Sequence, residues 1–176
     1  MIGQSRSEPE HIRPQALTNA AGWDVFVASA PDLARAVRSR LTVTKHHVVC
    51  TLRADGSPRV SGTEVQFHDG NLWMGSMGGA RKADDLRRDP RFALHANPGD
   101  GSMDGGDAKM SGYAVELVDS GVINRWLEGR ELPPGPFHLF RLDLEQVTLT
   151  CVHPDGDRLR IETWHPGRLI SVVERR

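Results

Sequence analysis

A glycine-rich stretch followed by two cations is the part of the sequence best suited to chemistry. It reads Gly75-Ser76-Met77-Gly78-Gly79-Ala80-Arg81-Lys82 and lies between a predicted strand and a predicted helix. Glycines let a ligand approach the backbone, and the free N–H groups at a helix start favour an anion. Ser76 adds a hydroxyl, Arg81 a planar fork and Lys82 a point charge, so the stretch predicts a site for a terminal phosphate. A basic helix start whose cations face water is the alternative, and the spacing is not that of a P-loop.

Other residues that could carry chemistry do not form a metal or nucleophilic site. His46 and His47, two of eight histidines, are adjacent and would face opposite sides of a strand. The sequence has no His-Glu-x-x-His motif and no Cys-x-x-Cys pair, so we expect no metal site. No serine lies in a Gly-x-Ser-x-Gly elbow, so we expect no catalytic triad. Cys50 and Cys151 are expected to be buried free thiols, with a disulfide between them as the open alternative.

Charge and hydropathy exclude two further classes of protein. The 176-residue chain has 22 Lys and Arg against 23 Asp and Glu, a formal charge of −1, which disfavours a broad surface for nucleic acid. It has no apolar run of about 20 residues, so we expect no transmembrane helix and no membrane partner. The N-terminus has no apolar segment typical of a signal peptide, and we therefore expect a cytoplasmic protein.

The elements that must position the glycine-rich stretch are mostly strands. Ser29 and Asp32 predict a capping box for a first helix, in which Leu33, Val37 and Leu41 form one apolar stripe. Asp-Gly turns between β-rich runs are typical of hairpins. Strands are predicted over 46–53, 58–68, 71–77, 91–97, 107–118, 137–143, 146–153 and 158–164, and two further helices over 80–89 and 120–128.

This pattern predicts a mainly β fold with a few short helices. Eight short strands favour a single β-barrel, because closure of a barrel removes exposed sheet edges. The barrel would form one domain over residues 23–176, with the helices against its outside or over one end. Residues 1–22 show no periodicity and predict a flexible N-terminal arm.

The order of several short motifs resembles a known family. Arg59-Val60-Ser61 begins one strand, Leu72–Ser76 ends the next hairpin, and Arg81-Lys82 precedes a helix that ends in Asp89-Pro90-Arg91. Near the C-terminus stands Ile161-Glu162-Thr163-Trp164. This order resembles the pyridoxamine 5′-phosphate oxidase-like flavoproteins, which are FMN-binding split barrels with Greek-key-like connections. The resemblance covers residues 30–118 and resumes at the C-terminal motif.

The resemblance implies FMN as cofactor and assigns residues to its phosphate. Arg59 would reach the phosphate from the second strand, and Arg81 and Lys82 would clamp it. Gly75 and Ser76 would lie near the ribityl-phosphate. The protein would supply position and electrostatics, while the flavin exchanges a hydride.

The resemblance also implies contacts with the flavin ring and a second subunit. The backbone of Val60 and Ser61 would lie along the isoalloxazine ring, and Lys109 would face the flavin. Trp164 would pack near the ring from the second subunit. The family binds its flavin in a groove between two subunits, so the resemblance implies a homodimer with the cofactor at the subunit interface.

Two departures from the family pattern bear on the substrate. Glu64 stands where the family has a basic residue for the substrate phosphate, and Ile170–Val173 replaces the family's C-terminal His and Arg. We therefore expect an FMN-dependent oxidoreductase acting on another, unidentified small molecule. One alternative is a reductase of the same fold that uses a deazaflavin coenzyme, whose longer anionic tail would require further cations such as Arg59, Arg87, Arg88 and Lys109. Another is a non-catalytic flavin or haem binder.

Overall fold

The computed structural model describes residues 19–99, 102–130 and 135–176. Within these residues the chain forms four helices and nine strands. The helices are α1 (Trp23–Ser29), α2 (Pro31–Val43), α3 (Arg81–Arg88) and α4 (Ser120–Leu127). The strands are β1 (His47–Leu52), β2 (Pro58–Thr63), β3 (Val65–His68), β4 (Asn71–Met77), β5 (Arg91–His95), β6 (Asp107–Leu117), β7 (Phe137–Val152), β8 (Leu159–Trp164) and β9 (Ser171–Arg175). The predicted mainly β class is confirmed.

The strands form one antiparallel sheet that curls without closing. Its order is β2-β1-β5-β6-β7-β4-β3, with β8 paired to β7 and β9 paired to β8. The two ends of this ladder, β2 and β3, are separated only by Glu64 and together form the predicted strand 58–68. That stretch bends, so that β2 pairs with β1 and β3 pairs with β4. The prediction that closure removes the sheet edges is wrong, because β2 and β3 continue each other along the chain and do not pair.

Helices α1 and α2 supply much of the apolar core. Leu33, Val37 and Leu41 are all buried on one face of α2, as their spacing predicts. Alternating side chains of β1 are buried, which places Val49 in the same core. Burial of such side chains is the dominant favourable contribution to folding, at about 1.5–3 kcal/mol for each large one.

The start of α2 differs from the sequence prediction. Ser29 is the last residue of α1, an element that the sequence did not predict, and its hydroxyl donates to the Val25 carbonyl at 2.8 Å. The N-cap of α2 is Ala30, with no side-chain cap, and Pro31 occupies the first turn. The predicted capping box is therefore wrong. Proline starts the helix without it, because its φ is already helical and its missing N–H needs no partner there.

A β-bulge joins two of the predicted strands into one. Ser111 is opposite Gln146 and Gly112 is opposite Leu144, so Glu145 on β7 has no partner in β6. The gap predicted between 143 and 146 is this bulge, and β7 continues through it.

Strand β9 was not predicted. Residues 1–18 of the predicted arm lie outside the described residues, and Ala21 pairs with Leu144 through hydrogen bonds of 2.9 and 2.7 Å.

We predict that Gly112→Ala destabilises the fold strongly. A Cβ at this position would lie 2.0 Å from the Asp143 carbonyl oxygen, which belongs to the backbone and cannot rotate away. The free energy of unfolding should fall by about 3 kcal/mol, the upper range for overpacking, in urea denaturation. The control is Gly62→Ala on β2, where nothing lies within 4 Å of the added Cβ. Equal stability of the two variants would contradict this role for the bulge.

Candidate functional site

The glycine-rich stretch forms a tight turn between β4 and α3. The Gly78 N–H donates to the Pro136 carbonyl at 2.7 Å, and a Cβ on Gly78 would lie 2.9 Å from that same oxygen. Gly79 has a φ of +74°, which favours glycine. The N-cap of α3 is Ala80, with no side-chain cap. The first N–H groups of α3 therefore have no intrahelical partner and favour an anion.

This turn borders a cleft of about 560 Å³, which we call the glycine-turn cleft. The cleft lies between the bend at Glu64, the end of β4, the start of α3, and a side formed by Trp126 of α4 and residues 135–137. Gly75, Ser76 and Lys82 all line it, as the sequence predicts for a shared site. Its apolar side includes Trp126 of α4, which stacks on Phe137 with ring centroids 5.3 Å apart.

Three residues that line the glycine-turn cleft carry side-chain hydrogen-bond donors. The Lys82 ammonium donates to the Gly62 carbonyl at 2.7 Å and so links α3 to β2. Burial lowers the pKa of Lys82, against the opposing effect of the Glu64 carboxylate. The Ser76 hydroxyl and the Trp126 indole N–H are both buried and have no hydrogen-bond partner within the described residues. Buried polar groups without partners are rare and call for an explanation such as a ligand.

A second cleft, of about 360 Å³, holds the other two predicted phosphate ligands. We call it the Asp85 cleft, and Arg59 and Arg81 both line it. The predicted clamp is thus divided, with Lys82 in one cleft and Arg81 in the other. Helix geometry explains the division, because successive residues of an α-helix point about 100° apart.

Asp85 is the centre of a buried polar cluster in the second cleft. It accepts hydrogen bonds from Arg59 Nε at 2.6 Å, Thr51 Oγ1 at 2.8 Å and Arg88 Nη2 at 3.1 Å. Burial of Asp85 raises its pKa, but these three donors outweigh burial and lower the pKa to about 2. This cluster was not predicted from the sequence, because its members come from β1, β2 and α3 and no local motif joins them.

Of three further predicted residues, Val60 and Lys109 lie on the outer face of the sheet, whereas Ser61 points to the opposite face and is partly buried. Val60 on β2 is 69% exposed, and Ser61 follows it on the same strand. Lys109 on β6 is exposed and lines a shallow groove with Cys50 and His95. The structure does not bring these three residues into the glycine-turn cleft.

Trp164 occupies a different place from the one that the resemblance implied. Its side chain is 1% exposed, its ring centroid lies 4.7 Å from that of Phe26, and its indole N–H donates to Ser29 Oγ at 2.9 Å. An indole held in the core of its own subunit cannot reach a flavin across an interface. The expected contact between Trp164 and the ring is therefore not supported by its position.

The described cysteines and acidic groups have simple roles. Cys50 and Cys151 are free and only partly buried, so the alternative of a disulfide is wrong.

His153, Asp155 and Asp157 lie close enough together to suggest a metal site. Their centre is taken by the Arg158 guanidinium, which contacts Asp157 at 2.6 Å, His153 at 3.0 Å and Asp155 at 3.1 Å. This group is therefore an ion-paired turn between β7 and β8.

A model of the family described as Pyridoxamine 5′-phosphate oxidase matches residues 33–151. This span includes β1 to β6, α3, the glycine-rich turn and most of β7. The chain belongs to the pyridoxamine 5′-phosphate oxidase family. The resemblance inferred from the sequence is thereby confirmed. No curated protein matches the chain in sequence.

Solved structures of this family share the fold at low sequence identity. A pyridoxamine 5′-phosphate oxidase-related, FMN-binding protein from Nostoc punctiforme is 15% identical, with 86% of this chain and 96% of that chain aligned at a TM-score of 0.57. PhzG from Burkholderia lata, in complex with tetrahydrophenazine-1-carboxylic acid, is 15% identical over 97% and 98% of the two chains, with a TM-score of 0.57. A heme-binding protein from Mycobacterium smegmatis is 16% identical over 78% and 57%, with a TM-score of 0.50. These likenesses show the fold alone.

Among the described helices, none is long and apolar enough to cross a membrane.

We predict that Asp85→Asn lowers the free energy of unfolding by about 3 kcal/mol, as when one partner of a buried ion pair is removed. The variant leaves Arg59 and Arg88 beside a neutral amide. Urea denaturation followed by circular dichroism measures the change. Asp84→Asn, an exposed aspartate on the same helix, is the matched control and should change stability by less than about 0.5 kcal/mol. A similar loss in both variants would show that the cluster does not hold α3.

The low pKa of Asp85 also predicts how its contribution depends on pH. Because folding lowers this pKa from 3.8 to about 2, the stabilisation is complete above pH 3.8 and is lost as the pH falls toward 2. The stability difference between the wild type and Asp85→Asn should therefore shrink by roughly 2 kcal/mol over this window. Urea denaturation of both proteins across the window measures it. A constant difference would mean that Asp85 is not ionised through this cluster.

Proposed function

We propose that the protein is an FMN-binding oxidoreductase that exchanges a hydride with a small molecule other than pyridoxamine phosphate. The observation that carries this proposal is the glycine-turn cleft. Its lining brings together Ser76, whose buried hydroxyl has no partner within the described residues, the partly buried ammonium of Lys82, the N-terminus of α3 and the aromatic rings of Trp126 and Phe137. Membership of the pyridoxamine 5′-phosphate oxidase family supports a flavin as the occupant.

The residues of the cleft suit the two ends of FMN. Lys82, the Ser76 hydroxyl and the first N–H groups of α3 would bind the phosphate, since all three favour an anion. Gly75, whose added Cβ would lie 3.2 Å from Phe137, keeps the floor of the cleft free of side chains. When bound, FMN would supply the hydride chemistry, and the chain would orient it and exclude water. Arg59 and Arg81 line the neighbouring Asp85 cleft, so we assign them a weaker, longer-range attraction for the phosphate.

Ion pairs on and beside α3 favour FMN over a deazaflavin coenzyme. The longer anionic tail of that coenzyme would require further free cations near the cleft. Arg87 instead pairs with both oxygens of Glu116 at 2.7 and 2.8 Å. Arg88 and Arg59 both pair with Asp85. A longer tail would have to break these pairs.

The outer face of the sheet supports a homodimer. Val48, Cys50 and Val60 share this face with Lys109, and β2 belongs both to it and to the border of the glycine-turn cleft. A second copy packed on this face would thus lie beside the cleft. The two free cysteines are typical of a reducing compartment and support a cytoplasmic location.

We predict that Lys82→Met weakens FMN binding by about tenfold to a hundredfold, because the phosphate loses a charged hydrogen-bond donor. Ser76→Ala should weaken it by a smaller factor, and Arg81→Met by less than Lys82→Met. Titration of the apoprotein with FMN, followed by quenching of flavin fluorescence, gives each dissociation constant. The control is Arg35→Met on α2, whose side chain is 76% exposed and lies outside the lining of the cleft.

Two outcomes would count against the proposal. If the wild type does not bind FMN, or if Lys82→Met binds it as tightly as the wild type, the cofactor site is wrong. If FMN binds but is neither reduced by NADPH nor reoxidised by a panel of electron acceptors, a non-catalytic flavin binder is the better description.

A further inference from the structure

Glu64 places a carboxylate at the border of the glycine-turn cleft, in the bend between β2 and β3. Its cationic partners are Lys45 Nζ at 3.3 Å and His46 Nδ1 at 3.7 Å, on side chains that are 75% and 74% exposed. Exposed ion pairs of this kind contribute little, about 0–1 kcal/mol each. A ligand can therefore replace Lys45 at small cost.

The charges that line the cleft favour a cationic second occupant once a phosphate is bound. Among the described residues, its lining contains one ammonium, Lys82, and one carboxylate, Glu64, together with the imidazole of His46. The Glu64 charge is felt at Lys82, where it opposes the effect of burial on the pKa. A phosphate held by Lys82 would at least neutralise the ammonium, and the Glu64 carboxylate, whose partners Lys45 and His46 are both exposed, would then add to a net negative charge in the cleft. A second anion would then be repelled and a cation attracted.

The rest of the cleft suits an apolar body attached to that cation. Trp126 and Phe137 form its stacked aromatic side, and Met77, which also lines it, is 69% exposed. Arg130 lies over the Trp126 ring, 4.7 Å from its centroid, and donates to Gln66 Oε1 at 2.8 Å. Arg130 thus links the Trp126 indole of α4 to Gln66 of β3 and holds the indole in place. An aromatic or aliphatic group could pack on this side while its charged end meets Glu64.

We propose that the small molecule bound beside the flavin is an organic cation, an amine or amidine on an apolar body, whose charge is held by Glu64. This inference rests on the proposed binding of FMN at Lys82. It extends that proposal by naming the substrate class and the residue that selects it. Glu64 recognises the cation through a charge-assisted hydrogen bond and disfavours phosphate esters at the same position.

The test compares three probes that share one ring, namely benzylamine, benzyl alcohol and benzyl phosphate. Each is titrated into the full-length FMN-loaded protein, with the flavin absorbance as the readout. We expect benzylamine to bind at least about tenfold more tightly than the other two probes, the factor that one charged contact of about 1.4 kcal/mol gives. Tighter binding of benzyl phosphate, or no binding of benzylamine, would overturn the proposal.

Two variants identify the residue responsible. Glu64→Gln keeps the shape of the side chain and should remove the preference for benzylamine over benzyl alcohol. Lys45→Met frees the Glu64 carboxylate and should strengthen benzylamine binding, an effect that a merely structural role of Glu64 would not produce. An unchanged preference in Glu64→Gln would overturn the assignment.

The failure of this inference can be distinguished from that of the proposed function. The same probes are titrated into the protein without FMN, with tryptophan fluorescence as the readout. If FMN does not bind but benzylamine binds through Glu64, the flavin proposal fails and the cation site stands. If FMN binds at Lys82 and the probes bind without a charge preference, the flavin proposal stands and the cation site fails.

Discussion

The buried carboxylate of Asp85 fixes the geometry from which the candidate site follows. Removing an ionised carboxylate from water is costly, and here donors from β1, β2 and α3 offset that cost. Because Thr51 and Arg59 lie on paired strands, the cluster holds α3 in one orientation against the sheet. That orientation places Lys82, less than one turn earlier on the helix, on the side of the glycine-turn cleft. The side chain that we propose to bind the phosphate is thus positioned by a cluster that lies in another cleft.

The sequence predicted those parts of the fold that depend on local periodicity. The apolar stripe of α2 and the Asp-Gly hairpins were predicted correctly, since both arise from residues that are close along the chain. The predictions that failed depend on contacts distant in sequence. The bulge at Gly112 lets β7 run through a predicted gap, and Ser29 caps no helix because Pro31 starts α2 and the Ser29 hydroxyl instead accepts from Trp164. The bend at Glu64 likewise turns an expected barrel closure into two sheet edges.

The same distinction applies to the site. Sequence placed Gly75, Ser76 and Lys82 together, because a strand, a glycine turn and a helix start follow one another directly. The sequence does not predict on which side of α3 each cation lies. In the structure the adjacent Arg81 and Lys82 line different clefts. Helix geometry does predict that the two side chains separate, because adjacent helical residues point about 100° apart. The contacts of Asp85 fix how α3 is turned, so that Lys82 and not Arg81 points toward the glycine turn. Two of its partners, Arg59 and Thr51, are 26 and 34 residues away in sequence.

Buried polar groups around the glycine-turn cleft lower the stability of the fold where burial is not fully compensated by hydrogen bonds. The buried Ser76 hydroxyl, which has no partner within the described residues, costs about 1–3 kcal/mol, and burial disfavours the charged form of Lys82 even though its ammonium donates to the Gly62 carbonyl. A folded protein keeps such groups where another interaction offsets the cost, and an anionic ligand would satisfy the hydroxyl and the ammonium together. The Asp85 cluster, by contrast, is already satisfied by protein donors and gains less from a ligand. This contrast supports the proposed binding of the phosphate at Lys82 rather than at the more numerous arginines of the Asp85 cleft.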